Sequence, residues 1–555
     1  MKRALMILLL CCSIFNAEAT VFVSGSISAN TTWTKANSPY IVNGNLTVDS
    51  GVILTIQPGV TVQIDTSMQF SIDGRLIAEG LVTDSIIFTS NPAIPSRFKW
   101  PGLSFRIKAR NDTSRFKYCI IEHANIGIYN AGSSMFVSNS VIRYNSEAVF
   151  LAPPSLPTNC YNAINKCLIT QNGRGVRDAQ NTPVPGLLSE NDITYNDGTG
   201  YFTQSSSKGM VMNNNNFFYN HIGVWLEGDN VRGLHFNTFK GSASTGLHIE
   251  ADTIYTPVSN NLFIYNDSAI SLIDVMAASV TNNTFAYNNV GISHNQNSVN
   301  LPNPSGMVIS NNCITKNVNY DFTENGTVDF QAPNNWWGDT AITHIDSFIY
   351  DYYDNISLAE VSYLPILTNA SGCQAVTPPP PCVAPAGISW LFAGSDVVFS
   401  WNSVPGARLY EYFLRFLHTP TPPSGIDTKN TSVIYNNVLP GKYLLCVRTH
   451  CWQLPFFSEW SCDTLEVPTS ITTLQQVPQP RIYPNPSNGI FMADIPATMQ
   501  AGEATVLDVN GRVIARQTYT PGTTLKFELG NIAKGIYVVQ FTNASATFHT
   551  KLTVQ

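Results

Sequence analysis

The strongest constraint on what this chain can fold into is a short unit that recurs between about residues 116 and 318. It reads Ser138-Asn139-Ser140-Val141-Ile142-Arg143-Tyr144-Asn145, then Glu190-Asn191-Asp192-Ile193-Thr194-Tyr195-Asn196, then Asn214-Asn215-Asn216-Phe217-Phe218-Tyr219-Asn220. It returns at Asn260 to Asn266, Asn282 to Asn288 and Asn311 to Asn317. With Ile142, Leu168, Ile193, Phe217, Phe239, Phe263, Phe285 and Ile314 as apolar anchors, successive steps are 26, 25, 24, 22, 24, 22 and 29 residues. A step of this size is one coil of a β-solenoid, in which each coil adds short strands to a shared interior and buries what its neighbour cannot. A leucine-rich horseshoe has a similar period, but its helix-forming stretches and leucine pattern are missing here. The turns between strands must satisfy backbone groups that no ladder covers. Asparagine suits them, because its amide donates and accepts and it tolerates left-handed backbone. One predicted stack is Asn191, Asn215, Asn237, Asn261, Asn283 and Asn312; another is Asn145, Asn196, Asn220, Asn266, Asn288 and Asn317.

These units resemble the bacterial right-handed parallel β-helix proteins whose repeats read N-N-x-F/I. Upstream, Thr32-Trp33-Thr34, Ser38-Pro39-Tyr40-Ile41-Val42 and Gly51 to Val62 resemble the first coils of that group; Leu76 to Gly80 and Ile86 to Ser90 continue it. Downstream, Asn334-Asn335-Trp336-Trp337-Gly338, Ile349 to Asp354 and Val361 to Pro365 resemble its closing segment. The resemblance implies an all-β chain with a right-handed parallel β-helix over residues 20–370. The twin tryptophans fit a sugar platform or, in the favoured reading, a plug for the open end of the solenoid, where bare apolar interior and an unpaired edge invite aggregation.

Aligning the second half of each coil puts Gly200, Gly223, Gly246, Ala269 and Gly291 in one column, followed by an alternating strand. Val224, Leu226, Leu247 and Ile249 then face inward. Phe150, Arg177, Phe202, Trp225, His248, Ser271 and Ser293 make one outward column, Gln204, Glu227 and Glu250 a second, and Ser206, Asp229 and Asp252 a third. Neighbouring strands lie ~4.8 Å apart. Glu227, Glu250, Asp229 and Asp252 should therefore form an acidic patch flanked by Phe202 and Trp225. Rings that stack on sugars, with paired carboxylates for calcium binding or acid–base catalysis, are the ingredients of a saccharide groove. The plainer alternative is a solvated acidic face on which His248 pairs with Glu250. No G-x-S-x-G, H-E-x-x-H, P-loop or EF-hand loop is present, and no lyase or glycosidase motif.

Thr377-Pro378-Pro379-Pro380-Pro381 reads as a stiff extended linker within residues 371–381. Over residues 382–468, Val397 to Trp401, Val404-Pro405-Gly406-Ala407, Tyr410-Glu411-Tyr412, Leu439 to Tyr443 and Val447-Arg448 resemble a fibronectin type III sandwich, with four cysteines unusual for that family. Trp390, Trp452 and Trp460 are read as its core or cap. After a linker at 469–480, residues 481–555 resemble the type A sorting domain of the type IX secretion system. The match rests on Tyr483-Pro484-Asn485-Pro486-Ser487-Asn488-Gly489, Asp508 to Ile514 with Gly511 and Arg512, Gly535-Ile536-Tyr537-Val538-Val539, and Lys551 to Val554. The resemblance implies a second small β-sandwich, handling by the outer-membrane translocon and its sortase machinery, and release or attachment at the cell surface. Asn510-Gly511 suits a two-residue hairpin turn.

Residues 1–19 read as a signal peptide, with Lys2 and Arg3, an apolar run from Ala4 to Phe15, and Ala17-Glu18-Ala19 before the cut. Bulky Leu10 argues against a lipobox at Cys11. Cleavage leaves nine cysteines, an odd number that implies at least one free thiol; Cys160/Cys167, Cys373/Cys382 and Cys446/Cys451 are near enough in sequence to pair. No later run is apolar enough to span a bilayer. A net charge of −7 without a basic cluster excludes a nucleic-acid reader. The function expected is non-catalytic binding of polysaccharide or another surface ligand, with a polysaccharide lyase or glycosidase as the alternative and a structural stalk as the third.

Overall fold

The computed structural model describes residues 20–91, 97–106, 113–153, 160–179, 186–203, 209–228, 233–250, 256–275, 277–296, 306–378, 380–393, 396–405, 407, 409–417, 425–428, 430–436, 438–451, 457–467, 480–508, 512–530, 532–543 and 547–554. The expected signal peptide, Trp452, Gln204, Ser206, Asp229, Asp252 and the Asn510-Gly511 turn lie outside these residues. The chain divides into two compact units, the first running to Cys382 with two short later pieces and the second holding most of the remainder.

The first unit is a parallel β-helix. Twelve strands from Thr31–Trp33 to Val308–Ser310 stack into one sheet, and the remaining strands of the coils form a 25-stranded sheet. Alternation along each strand drives apolar residues inward, as in Ile222–Glu227, where Val224 and Leu226 are buried while Trp225 and Glu227 are half-exposed. Ile142, Ile169, Ile193, Phe217, Phe239, Phe263, Phe285 and Ile314 are register partners in succession. Leu168 is therefore displaced by one position from the expected anchor. It faces outward at 37% exposure, and Ile169 takes the interior place. Phe239 and Phe263 stack at 4.5 Å, with Phe217 and Phe285 continuing the pile at 5.1 and 4.9 Å.

Both asparagine ladders form. In the first, Asn191, Asn215, Asn237, Asn261, Asn283, Asn312 and Asn335 are buried. Each Oδ1 after the first accepts the backbone N–H and the Nδ2–H of the asparagine one coil earlier, at 2.8–3.1 Å. Upstream the same column runs through Cys119, Ser140 and Cys167: the Cys119 N–H donates to Ser140 Oγ and the Cys167 N–H to Asn191 Oδ1. The second ladder gains Asn172 between Asn145 and Asn196 and substitutes Ser242 between Asn220 and Asn266. The two jobs expected of one residue are divided between neighbours. Left-handed backbone falls on the residue before each ladder position, for example Asn214 (φ 56°) and Asn260 (φ 58°) at one corner and Tyr195 (φ 55°) and Tyr265 (φ 60°) at the other.

At the C-terminal end Trp336 prolongs the ladder, its carbonyl accepting the Ile314 N–H at 2.8 Å. Trp337 is 3% exposed, inside the core with Ile345 of the short helix Ile342–Asp346. Trp337 thus plugs the end of the solenoid, while Trp336 beside it is half-exposed. Beyond this cap, Cys373 is disulfide-bonded to Cys313. The chain after it lies along the solenoid flank: the Gln374 N–H donates to Thr284 Oγ1 (3.0 Å), and Tyr265 donates its hydroxyl proton to Thr377 O (2.5 Å).

The other disulfides are Cys382–Cys451 and Cys446–Cys462. None of the three near-neighbour pairings that the sequence leaves open forms. Cys446 and Cys462 are opposed on adjacent antiparallel strands, a proximity in space that sequence distance does not reveal. Cys119, Cys160 and Cys167 are buried thiols, of which Cys119 and Cys167 serve as ladder residues. Burial pushes the Cys167 thiol up to about 12 and that of Cys119 higher still, so neither supplies a thiolate near neutral pH.

The strands described in the second unit pair antiparallel. Ser389–Ala393, Asp396–Ser400 and Ser432–Tyr435 form one sheet; Ile426–Thr428, Leu409–Phe416, Gly441–His450 and Ser461–Val467 form another. Val397, Phe399, Trp401 and Leu445 are buried, whereas Trp390 and Trp460 are half-exposed. Residues 481–554 repeat the plan, with three strands (Arg481–Tyr483, Ile490–Asp494, Thr524–Glu528) and four (Val513–Tyr519, Gly502–Leu507, Gly535–Asn543, Thr547–Val554) around Phe491, Val506, Phe527, Val539 and Phe541.

Candidate functional site

The outward column lies in register over successive coils. Tyr129 pairs with Phe150, Phe150 with Arg177, Arg177 with Phe202, Phe202 with Trp225, and Trp225 with His248, after which Ser271 and Ser293 follow. The column is tight because the glycine column beside it lets coils approach. A Cβ on Gly200 or Gly246 would come within 2.6 or 2.7 Å of a carbonyl oxygen of the next coil. Phe202 and Trp225 meet edge to face at 5.4 Å, and Trp225 and His248 at 5.2 Å. The Arg177 guanidinium lies 3.4 Å from the Phe150 ring centre, and that of Arg174 lies 5.6 Å from Phe202.

Glu227 and Glu250 are register partners on adjacent strands. His248 Nε2 lies 3.4 Å from Glu250 Oε2. Burial lowers the His248 pKa, and Glu250 offsets only part of that, so the ring is held toward its neutral form. The next partners in the carboxylate column are Ile273 and Asn295, which ends the acidic run on that side. Asp229 and Asp252, which the sequence places beside these glutamates, are not among the described residues. No group of three or more His, Cys, Asp or Glu side chains among the described residues gathers to hold a metal ion. Glu227 and Glu250 alone fall short of the six to eight oxygens that calcium takes.

Three residues of this face escaped the sequence alignment: Tyr129, Glu147 and Arg174. Glu147 is buried and accepts from Arg174 Nη1 at 2.5 Å and Arg177 Nη2 at 2.7 Å. With Asn125, Ser146 and Gly198 these residues line a concavity next to the aromatic column. The signal was present, since Glu147 and Arg174 are direct partners one coil apart, but the column containing them drifts to Ile222 and Thr245 and shows no repeat.

The C-terminal module has its own constellation. Asn485 reaches the last strand with both ends of its amide, donating from Nδ2 to Lys551 O (2.6 Å) and accepting the Thr553 N–H at Oδ1 (2.8 Å). Ser487 adds an N–H bond to Thr553 O at 2.8 Å. Pro484 and Pro486 bracket that asparagine, and Gly489 follows with φ 92°, a turn conformation that suits glycine. Arg512 closes onto Asp508 through its backbone N–H at 2.9 Å; Gly511, between them, is outside the described residues. Tyr537 is buried and donates to Ala533 O at 2.7 Å, and Gly535 opens the strand that contains it. The first and last motifs of the module, 66 and 68 residues apart, thus form one clamp. The family model described as a secretion system C-terminal sorting domain matches residues 481–555. Residues 481–555 are a type IX secretion sorting domain. A chain carrying it is secreted by the type IX system to the cell surface or beyond, and the domain implies interaction with that machinery.

Two further models match the solenoid: a right-handed beta helix region at residues 105–263 and a pectate-lyase-like beta helix domain at residues 25–141. No curated protein matches the sequence. Among solved structures, the BSP domain of a biofilm-associated protein is similar at 16% identity and TM-score 0.13, over 29% of this chain and 27% of that one. The tailspike protein gp49 of Acinetobacter baumannii bacteriophage Fri1, a capsular polysaccharide depolymerase, is similar at 10% identity and TM-score 0.32, over 75% and 73%. The chain therefore spans about a quarter of the biofilm protein's length, and neither likeness informs activity. No helix among the described residues is long and apolar enough to cross a membrane.

Proposed function

We propose that the solenoid binds polysaccharide or another surface ligand without turning it over, through Phe202, Trp225 and His248 with Glu227 and Glu250 beside them. The observation that carries this reading is the column from Tyr129 to His248, in which six successive coils each present a ring or a guanidinium on one outer face. Steps of ~4.8 Å along such a column match apolar ring faces to successive C–H faces of a sugar polymer, while flanking carboxylates accept hydroxyl protons. An N-terminal signal peptide would begin export. The sandwich at residues 382–468, whose seven strands divide three and four between antiparallel sheets, supports a fibronectin type III-like spacer between the solenoid and the sorting domain.

A glycan array probed with the full chain, joined to an assay for new reducing ends and unsaturated products, tests the reading. Binding without product is expected, and Trp225→Ala should weaken it at least tenfold. Product release would make the protein a polysaccharide lyase or glycoside hydrolase. Neither binding nor product would reduce it to a stalk.

A further inference from the structure

The outer column is positive at one end and negative at the other. Where Phe150, Arg177 and Phe202 follow one another on successive coils, Glu147 takes one N–H from Arg174 and one from Arg177. The two guanidiniums make no other hydrogen bond among the described residues, and the Arg177 Nε–H is buried without an acceptor. One carboxylate against two guanidiniums leaves a positive charge over. Asp197, next to Gly198 on the wall of this site, is already held by Arg97 at 2.6 Å. Ring contacts limit the movement of both donors, Arg177 lying over Phe150 and Arg174 over Phe202. Beside them is a concavity of about 410 Å³, with Asn125 and Ser146 on its wall. The Arg174 side chain is 40% exposed, so its free N–H groups are within reach of a ligand.

Glu227 and Glu250 lie two and three coils further along, on the strands of Trp225 and His248. At ~4.8 Å per coil they stand about 10 and about 14 Å from the arginine pair. The Glu227 carboxylate has no partner among the described residues, and Glu250 has only His248, 3.4 Å away and held toward its neutral form. A saccharide lying on Phe202 and Trp225 therefore meets guanidiniums on one side and carboxylates on the other. An anionic group over the concavity gains charge-assisted hydrogen bonds from donors already in place. A second anionic group, two or three coils along, is set against Glu227 and Glu250 and repelled.

We infer that the concavity at Arg174 and Arg177 is a subsite for one anionic group, a carboxylate or sulfate ester, on an otherwise uncharged saccharide, and that Glu227 and Glu250 turn away chains charged at every unit. The inference rests on the saccharide reading above and narrows it to sparsely charged ligands.

The test is calorimetric titration of the full chain with four probes: lacto-N-neotetraose, the same tetrasaccharide with one terminal sialic acid, the same with one sulfate ester, and tetrameric sialic acid, which is charged at every unit. The singly charged forms should bind at least tenfold tighter than the neutral parent, and the sialic acid tetramer no tighter than that parent. Arg174→Gln, which leaves Glu147 paired with Arg177, should close the gap without changing affinity for the neutral parent, whereas Arg174→Lys should keep most of it. Glu227→Gln should admit the tetramer. A neutral parent that binds as well as its charged forms, a tetramer that binds best, or a charge preference that survives Arg174→Gln would overturn the inference and leave saccharide binding in place. If no probe and no glycan on the array binds, the saccharide reading falls and this inference with it.

Discussion

Replacing Asn215 with alanine removes one rung of the first ladder. The Asn215 side chain is fully buried and makes four hydrogen bonds: Oδ1 accepts from Asn191 N and Nδ2 at 3.1 and 2.9 Å, and Nδ2 donates to Leu188 O and Asn237 Oδ1 at 2.8 and 3.0 Å. Asn237 Oδ1 keeps a second donor in the Asn215 backbone N–H, and Asn191 Nδ2 keeps Ile164 O. The groups that suffer are the Asn191 backbone N–H and the Leu188 carbonyl, each losing an acceptor or donor that water cannot replace. At about 1–3 kcal/mol for each stranded buried group, the variant should lose about 2–6 kcal/mol. Asn216, one residue on, is the control. It bonds to exposed Asp192 at 2.7 Å, and its alanine variant should stay within about 0.5 kcal/mol of wild type. Urea unfolding of the full chain gives the difference, and hydrogen exchange at the Asn191 amide shows whether it arises locally. If Asn215→Ala costs no more than Asn216→Ala, the ladder is a by-product of coil geometry and not what holds the corner.

Asp321 is buried at the end of the second ladder, and burial raises its pKa to about 7 against a bond from Asn317 that lowers it. The folded state therefore keeps this proton while the unfolded chain releases it near pH 4, so stability should fall as pH rises from about 4 to 7 and level off above. Urea midpoints across that range should show the slope in wild type and its loss in Asp321→Asn. In the sorting domain, Asn485→Ala deletes two bonds to the last strand. It should speed exchange of the Thr553 amide, lower stability by about 1–2 kcal/mol and leave more protein unexported in cell fractionation; unchanged exchange would deny Asn485 its clamp role.

The solenoid is legible because its interior repeats in type: between Ile142 and Ile314 a phenylalanine or isoleucine enters at each coil and an asparagine returns at most corners. Residues that break the type were misplaced or lost. Leu168 and its neighbour Ile169 satisfy the period equally, being adjacent and both apolar, and only the strand pairing separates them. Cys119, Ser140 and Cys167 do the work of asparagine without resembling it. Disulfides were unreadable, since Cys313 and Cys373 are 60 residues apart and meet only because the chain turns back along the flank. On that outer face the repeat reveals the aromatic column, Arg177 and both glutamates but not Glu147 and Arg174, whose partnership is set by a single pair of coils rather than by a repeating column.

The ladder has a consequence for how such a protein varies in size. From Asn215 to Asn312 each asparagine of the first ladder receives the same two bonds from the coil before and offers the same two to the coil after, so the joints along that run are chemically alike. A coil can be gained or lost as a unit of about two dozen residues without a new joint having to be invented. Reach is then a quantity adjustable in fixed increments, like links in a chain, while the cap that closes the solenoid and the secretion address C-terminal to it stay as they are.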